Sequence, residues 1–455
     1  MHMKFVLAFL LLSFGALSTK AQIITTYAGN GTVGYSGDGG QATAADLSAV
    51  TSVFADVNGN IYLSDPNQYV IRKIAPSGII TTIAGVGPGG GGNTGDGGQA
   101  TLATLFNPQG VFADSIGNVY FIDSDSARIR KINTSGIIST IAGTKVSGYS
   151  GDGGAATAAQ MSYPNDILMD KNGNIYFTDV SNYRVRKISS SGIISTVAGT
   201  GVSGFSGDGG PATAAQIGFP YYLTIDRNGN LYFGDDSSAR IRKVSASGII
   251  STVAGTGVVG TAGMVSAGDG GPATAAVLGL VYGMTTDNSG NLYYSEAVDS
   301  RIRKIDFSTG IIKPIVGDGT PCGFGGDGGT ATLAKLCVPE GISFDKFGNL
   351  YISDYDNHRI RRVKGMVSEV EHVSSSAQIT LSPNPATAGA FTLNINTGIP
   401  ENAQITITNV TGSTVSALQG ETNKAMDIQL NAPKGLYFVT VTTSHGVWVE
   451  KVVVD

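Results

Sequence analysis

The chain restarts the same run of residues six times. The copies begin at Ile23, Ile79, Ile137, Ile193, Ile249 and Ile311, at intervals of 56 to 62 residues. In each, an Ile-Ile strand ends near Ala-Gly and a Gly-Asp-Gly-Gly loop follows. An entry that usually holds proline then leads into an Asp-x-x-Gly-Asn-hydrophobic-Tyr hairpin and a strand close to Arg-Ile-Arg-Lys-Ile. The strands are short, apolar and β-branched, and turn residues part them at the spacing of a meander. One such sheet cannot cover both of its own faces, so a repeat of this period must stack its copies. A ring of stacked sheets leaves only short, protected edges.

The third copy shows the unit most plainly: "NDILMD" from Asn165, "NIYFTD" from Asn174, "RVRKIS" from Arg184 and "GIISTVAG" from Gly192. Gly173 supplies the positive φ of the hairpin turn, and Asp170 is placed to accept backbone N–H bonds across it. The phase of the repeat predicts how the ring closes. "IITTYAG" at Ile23 is, in later copies, the fourth strand of the preceding unit, and the sixth copy stops after its third strand at Val363. The expectation is an all-β chain: a six-bladed β-propeller over residues 22–364, closed by its N-terminal strand.

The stretches "SDYDNHRIRRVKG" from Ser353, "GIISTVAGTG", "GDGGPATAA" and "DRNGNLYFGD" resemble the NHL repeat family of propellers. The resemblance implies the scaffold and leaves the reaction open, because function lives in sites grafted on folds.

Both ends differ from the repeats. Residues 1–21 read as a secretory signal peptide: a basic start, an apolar run from Phe5 to Leu17 and small residues before Gln22. After a linker at 365–376, residues 377–455 read as about seven strands of a small Ig-like sandwich. Pro383 to Ala386, Asn409 to Gly412 and Gly435 to Val439 are similar to the recurring pieces of the type IX secretion system C-terminal sorting domain. That resemblance implies a secreted or cell-surface protein, exported across both membranes, with the secretion machinery as partner through 377–455. No run outside the first 21 residues has the roughly 20 apolar residues of a spanning helix. A charge of -5 with 14% charged residues argues against nucleic acid as a partner.

Several patterns invite chemistry and fail on their surroundings. Gly199-x-Gly201-x-x-Gly204 follows a strand as a dinucleotide fingerprint does, but Gly207, Gly209, Gly210 and Pro211 forbid the helix it needs. Asp170-x-Asn172-x-Asn174 and Asp226-x-Asn228-x-Asn230 have calcium-loop spacing without the glycine and glutamate that complete such a loop. The loop acids Asp38, Asp96, Asp152, Asp208, Asp269 and Asp327 occur once per copy, so they belong to the shared frame. The same holds for Arg184, Arg186, Arg240 and Arg242 and for the strand-end acids Asp123, Asp179, Asp235 and Asp354. A zinc site of the kind found in the NHL-type amidating lyase needs several histidines, and His358 is the only one in the propeller. No catalytic set and no cofactor are expected, although a calcium ion in the tunnel is left open.

Shared positions hold a scaffold, whereas divergent ones are free to serve a ligand. The position at the start of each blade's first strand is Thr51, Gln109, Asn165, Tyr221, Tyr282 and Glu340, and these six are expected to ring one mouth of the tunnel. The function expected is an exported, non-enzymatic ligand-binding propeller for a glycan, peptide or protein. The alternative is a metal-dependent lactonase-like hydrolase at the tunnel mouth, with Glu340, Asn165 and Asp166 as its candidates. Cys322 and Cys337, the only two cysteines, are expected to form a disulfide in an oxidising compartment.

Overall fold

The computed structural model describes residues 22–258, 267–320, 322–367, 378–396, 400–410, 413–443 and 447–455. The signal peptide expected at 1–21 and most of the linker expected at 365–376 therefore lie outside the described residues. Two compact units divide the chain, Met1–Ser368 and Glu369–Asp455.

The first unit holds six four-stranded antiparallel sheets. In the third, the order from the centre outward is Pro164–Met169, Ile175–Asp179, Arg184–Ile188 and Ile194–Ala198. The hairpin between the first two strands turns at Gly173, whose φ is +77°. Asp170 fastens that turn: Oδ1 accepts the Asn174 amide at 2.9 Å and Oδ2 accepts the Asn174 side chain at 2.8 Å. Asp56, Asp114, Asp226, Asp287 and Asp345 do the same in the other blades. These carboxylates are occupied by their own turns.

The sixth sheet takes its outer strand from the other end of the ring. Ile24–Ala28 pairs antiparallel with Arg359–Val363, Ile24 opposite Val363. Sixth and first blades also meet at the centre, where the Gly341 amide donates to the Thr51 carbonyl at 3.1 Å and the Ala55 amide to Ser343 Oγ at 3.1 Å. The hydrophobic core is distributed between blades: Tyr120, Ile122 and Ile129 of the second pack on Ile167, Ile175 and Phe177 of the third, and each junction repeats the pattern. Past the last strand, Met366 and Val367 still pack on the sixth blade's core.

Outside the centre, each blade is clamped by a buried arginine, joined in blades two and five by a second, Arg128 and Arg301. Arg186 is fully buried and donates to Asp152 in the outer loop at 2.7 Å and to Asp179 at the end of the second strand at 3.3 Å. Arg130, Arg242, Arg303 and Arg361 bridge Asp96 and Asp123, Asp208 and Asp235, Asp269 and Glu296, and Asp327 and Asp354. Arg72 holds Asp38 at 2.7 Å. Burial pushes Asp179 up to about 6, and the bonds from Ser162, Asn182 and Arg186 oppose it. In the sixth blade's outer loop the structure joins Cys322 to Cys337, with their Cα atoms 4.1 Å apart.

The second unit has two sheets, one of three strands and one of four. Their inner faces close over a single core that includes Phe391, Leu393, Ile405, Ile407, Val439 and Val441.

Candidate functional site

The six inner strands surround a channel, and a break in their ladder shapes its upper end. In blades two, three, five and six the pairing of the first strand slips after its opening residue, between Pro108 and Val111, Pro164 and Ile167, Val281 and Met284, and Pro339 and Ile342. Such bulges re-aim side chains. Just before them, Asn107, Tyr163 and Val338 take left-handed φ of 60°, 51° and 49°, which turns the chain inward ahead of the proline.

Thr51, Gln109, Asn165, Tyr221, Tyr282 and Glu340 all line one cavity of about 540 Å³ at this end. The polar members on the first three blades are held in place. Thr51 and Ser64 share a hydroxyl bond at 3.1 Å, Gln109 donates to Asn107 Oδ1 at 2.7 Å, and Asn165 donates to the Tyr221 carbonyl at 3.0 Å. Blades three to five supply an aromatic wall. The Phe219 and Tyr221 rings stack 25° from parallel with centroids 6.3 Å apart, and Tyr222 lies 5.6 Å from Tyr282.

One residue further down each strand stands a second ring: Ser52, Gly110, Asp166, Tyr222, Gly283 and Gly341. The glycines let neighbouring blades touch. A Cβ on Gly283 would lie 2.4 Å from the Glu340 carbonyl, and one on Gly110 would lie 2.7 Å from Asp166 Cα. Asp166 is the one carboxylate lining the narrow channel of about 250 Å³ below the mouth. Its two oxygens accept the Leu223 amide at 3.0 Å and the Ile167 amide at 2.9 Å. That leaves a calcium ion in the tunnel one carboxylate, where hard cations take six or more oxygens.

Three carboxyls here are held far from their ordinary range. Burial pushes Asp166 up to about 7, against the two amides that bond it. Burial pushes Glu340 up to about 8; the hydrogen bond from the Tyr222 hydroxyl, 3.2 Å from Oε2, opposes this and Asp356 adds to it. Burial likewise takes Asp236 to about 8, opposed by the Val281 amide and reinforced by Asp235. Tyr282, half-buried and facing both Glu340 and Asp236, is pushed up to about 12. The lining of the mouth contains no lysine, arginine or histidine.

Sequence reasoning missed Tyr163, Phe219, Tyr222 and Asp236. A signal for two of them was available. Phe219 and Tyr163 occupy the residue before the proline, which is as divergent as the one after it. Asp236 stands where the other blades have Pro66, Ser124, Val180, Ala297 and Tyr355, so it is the only acid at that place.

Fold and mouth together define a six-bladed propeller with one open, chemically varied end. Profiles of known families agree: the Teneurin NHL domain matches residues 86–150 and 146–206, the NHL repeat matches 336–363, and the Secretion system C-terminal sorting domain matches 380–455. The propeller is built of NHL repeats and the tail is a sorting domain, which marks the chain for the cell surface or for secretion. Among the described residues no helix is long and apolar enough to cross a membrane. Teneurin-1 of Gallus gallus is 28% identical over 388 residues, which cover 76% of this chain and 14% of the teneurin. The chain thus spans about a seventh of that relative. A Bacteroides thetaiotaomicron protein of unknown function aligns with TM-score 0.54 at 19% identity, over 76% of each chain. An auxiliary nutrient binding protein of the same organism aligns with TM-score 0.54 at 14% identity, over 75% of this chain and 76% of its own.

Proposed function

We propose that this chain is an exported binding propeller that takes a saccharide at the upper mouth of its tunnel. One observation carries the reading: six positions that differ from blade to blade, within a frame that hardly varies, line the same cavity. Flat aromatic faces beside fixed hydroxyl and amide groups suit the apolar faces and hydroxyls of a sugar ring. The Tyr221 and Tyr282 hydroxyls carry no hydrogen bond within the described residues, so both remain available to a ligand.

The competing hydrolase reading asks Glu340, Asn165 and Asp166 to hold one metal. Each already has a partner in the fold: Glu340 Oε2 accepts the Tyr222 hydroxyl, the Asn165 amide donates to the Tyr221 carbonyl, and the two Asp166 oxygens accept backbone amides. A stoichiometric divalent ion in the purified protein would restore it.

A glycan array probed with the full chain, beside a variant carrying Tyr221→Ala, Tyr282→Ala and Glu340→Ala, tests the proposal. The folded variant is expected to lose the array hits. Retention of every hit at unchanged strength would move recognition off this mouth.

A further inference from the structure

At the ends of the second strands the propeller sets a buried arginine against each buried acid, Asp123, Asp179, Asp235, Glu296 and Asp354. Asp236 and Glu340 are treated otherwise. They flank Tyr282 in the mouth, where no basic side chain lines the wall. Glu340 has the Tyr222 hydroxyl as its partner and Asp236 the Val281 amide, both neutral donors. The groups facing them are themselves acidic or phenolic: Asp356, Tyr222 and Tyr282 for Glu340, and Asp235, Tyr221 and Tyr282 for Asp236. No basic side chain in the cavity wall pairs with either acid.

A metal ion does not fit there. Among the described residues, only Cys322, Cys337 and Asp356 bring three metal-ligating side chains within 4.8 Å, and those cysteines are joined to each other. An organic cation fits better, because the same cavity presents aromatic faces, which attract cations through their negative π-clouds. The near-parallel Phe219 and Tyr221 rings make a platform broad enough for a pyranose face, more than a lysine side chain needs.

We propose that the mouth selects an amino sugar, its ring on the Phe219 and Tyr221 platform and its ammonium group between Asp236, Glu340 and the Tyr282 ring. This rests on the saccharide reading above and names the class of sugar. The proton balance is simple. With both carboxyls protonated in the empty mouth below about pH 8, an arriving amine takes the carboxyl proton: one O–H bond breaks, one N–H bond forms, and the ion pair appears without exchange with solvent. An arriving ammonium displaces that proton to water instead.

Titration calorimetry on the full chain decides the matter, with three probes of equal length: a β-1,4-linked glucosamine hexamer, its fully N-acetylated counterpart and hexalysine. The glucosamine hexamer is expected to bind at least tenfold more tightly than the acetylated one. A variant with Asp236→Asn and Glu340→Gln, which keeps shape and removes charge, should erase that preference while its melting curve stays cooperative. Equal affinity for the two hexamers, or a preference that survives in the variant, overturns the ammonium site and leaves the saccharide reading standing. Binding of hexalysine alone overturns both, since it would make the mouth a peptide site.

Discussion

Two sets of carboxylates in one ring are handled in different ways. Along the outer part of each blade, Asp123, Asp179, Asp235, Glu296 and Asp354 each face a buried arginine that also reaches a loop aspartate. At the mouth, Asp166, Asp236 and Glu340 face amides, phenols and other acids, and each is held far above the ordinary carboxylate range. The first set is fully buried and the second half-buried, and what faces them differs as well. The clamped acids meet an arginine and tie the blade together, whereas Asp236 and Glu340 line an open cavity with no basic side chain in its wall.

Removing the internal counter-charge should produce the largest effect. Arg186→Ala leaves Asp179 buried without its cation and releases Asp152 from its clamp, and breaking a buried pair by deleting one partner costs about 3–5 kcal/mol. Chemical denaturation is the measurement. A loss under about 1 kcal/mol, typical of exposed pairs, would show that the clamps are no firmer than surface contacts.

Next in size is the other staple of the outer frame. Cys322→Ser with Cys337→Ser opens a loop of 15 residues' separation, for which the chain-entropy account gives about 3 kcal/mol. Thiol labelling of the denatured, unreduced protein is expected to find no free cysteine. Two labelled thiols would remove the bridge from the frame.

The mouth should answer with the opposite sign. Folding raises the Glu340 carboxyl from its ordinary 4.5 to about 8, so between those values the folded chain holds a proton that the unfolded chain has lost. Stability therefore falls as pH rises across that window. Glu340→Gln abolishes this slope. Its melting midpoint is expected to exceed the parent's at pH 9 and to match it at pH 4. A lower midpoint at pH 9 would mean that Glu340 stabilises the ring as the clamped acids do.

The ring was legible because repetition makes each blade a control for the others. Counting copies and noting their phase was enough to expect six sheets, and comparing one position across them found six residues that share a cavity. The remainder needed coordinates. The slip after Pro164 that turns Asn165 and Asp166 inward has no marker in the letters, since the same Pro-x-x pattern would suit an unbroken strand. Tyr222 went unnoticed because it follows Tyr221, and strand alternation would send two successive side chains to opposite faces. In this blade the first strand begins only at Leu223, so Tyr221 and Tyr222 precede it and escape the alternation. Arg186 and its two acids were legible as members of the frame, but not that one guanidinium spans from loop to strand end, because those residues lie far apart in the chain.

Pairing of Ile24 with Val363 sets a timetable as well as a shape. A chain made from its N-terminus acquires this first strand before any blade and must hold it without a ladder until the whole repeat array has followed. Five sheets can stack while synthesis runs, yet the circle stays an open arc. The closed ring therefore exists only once the strand Arg359–Val363 has been made, and every earlier stage of synthesis leaves its two ends apart.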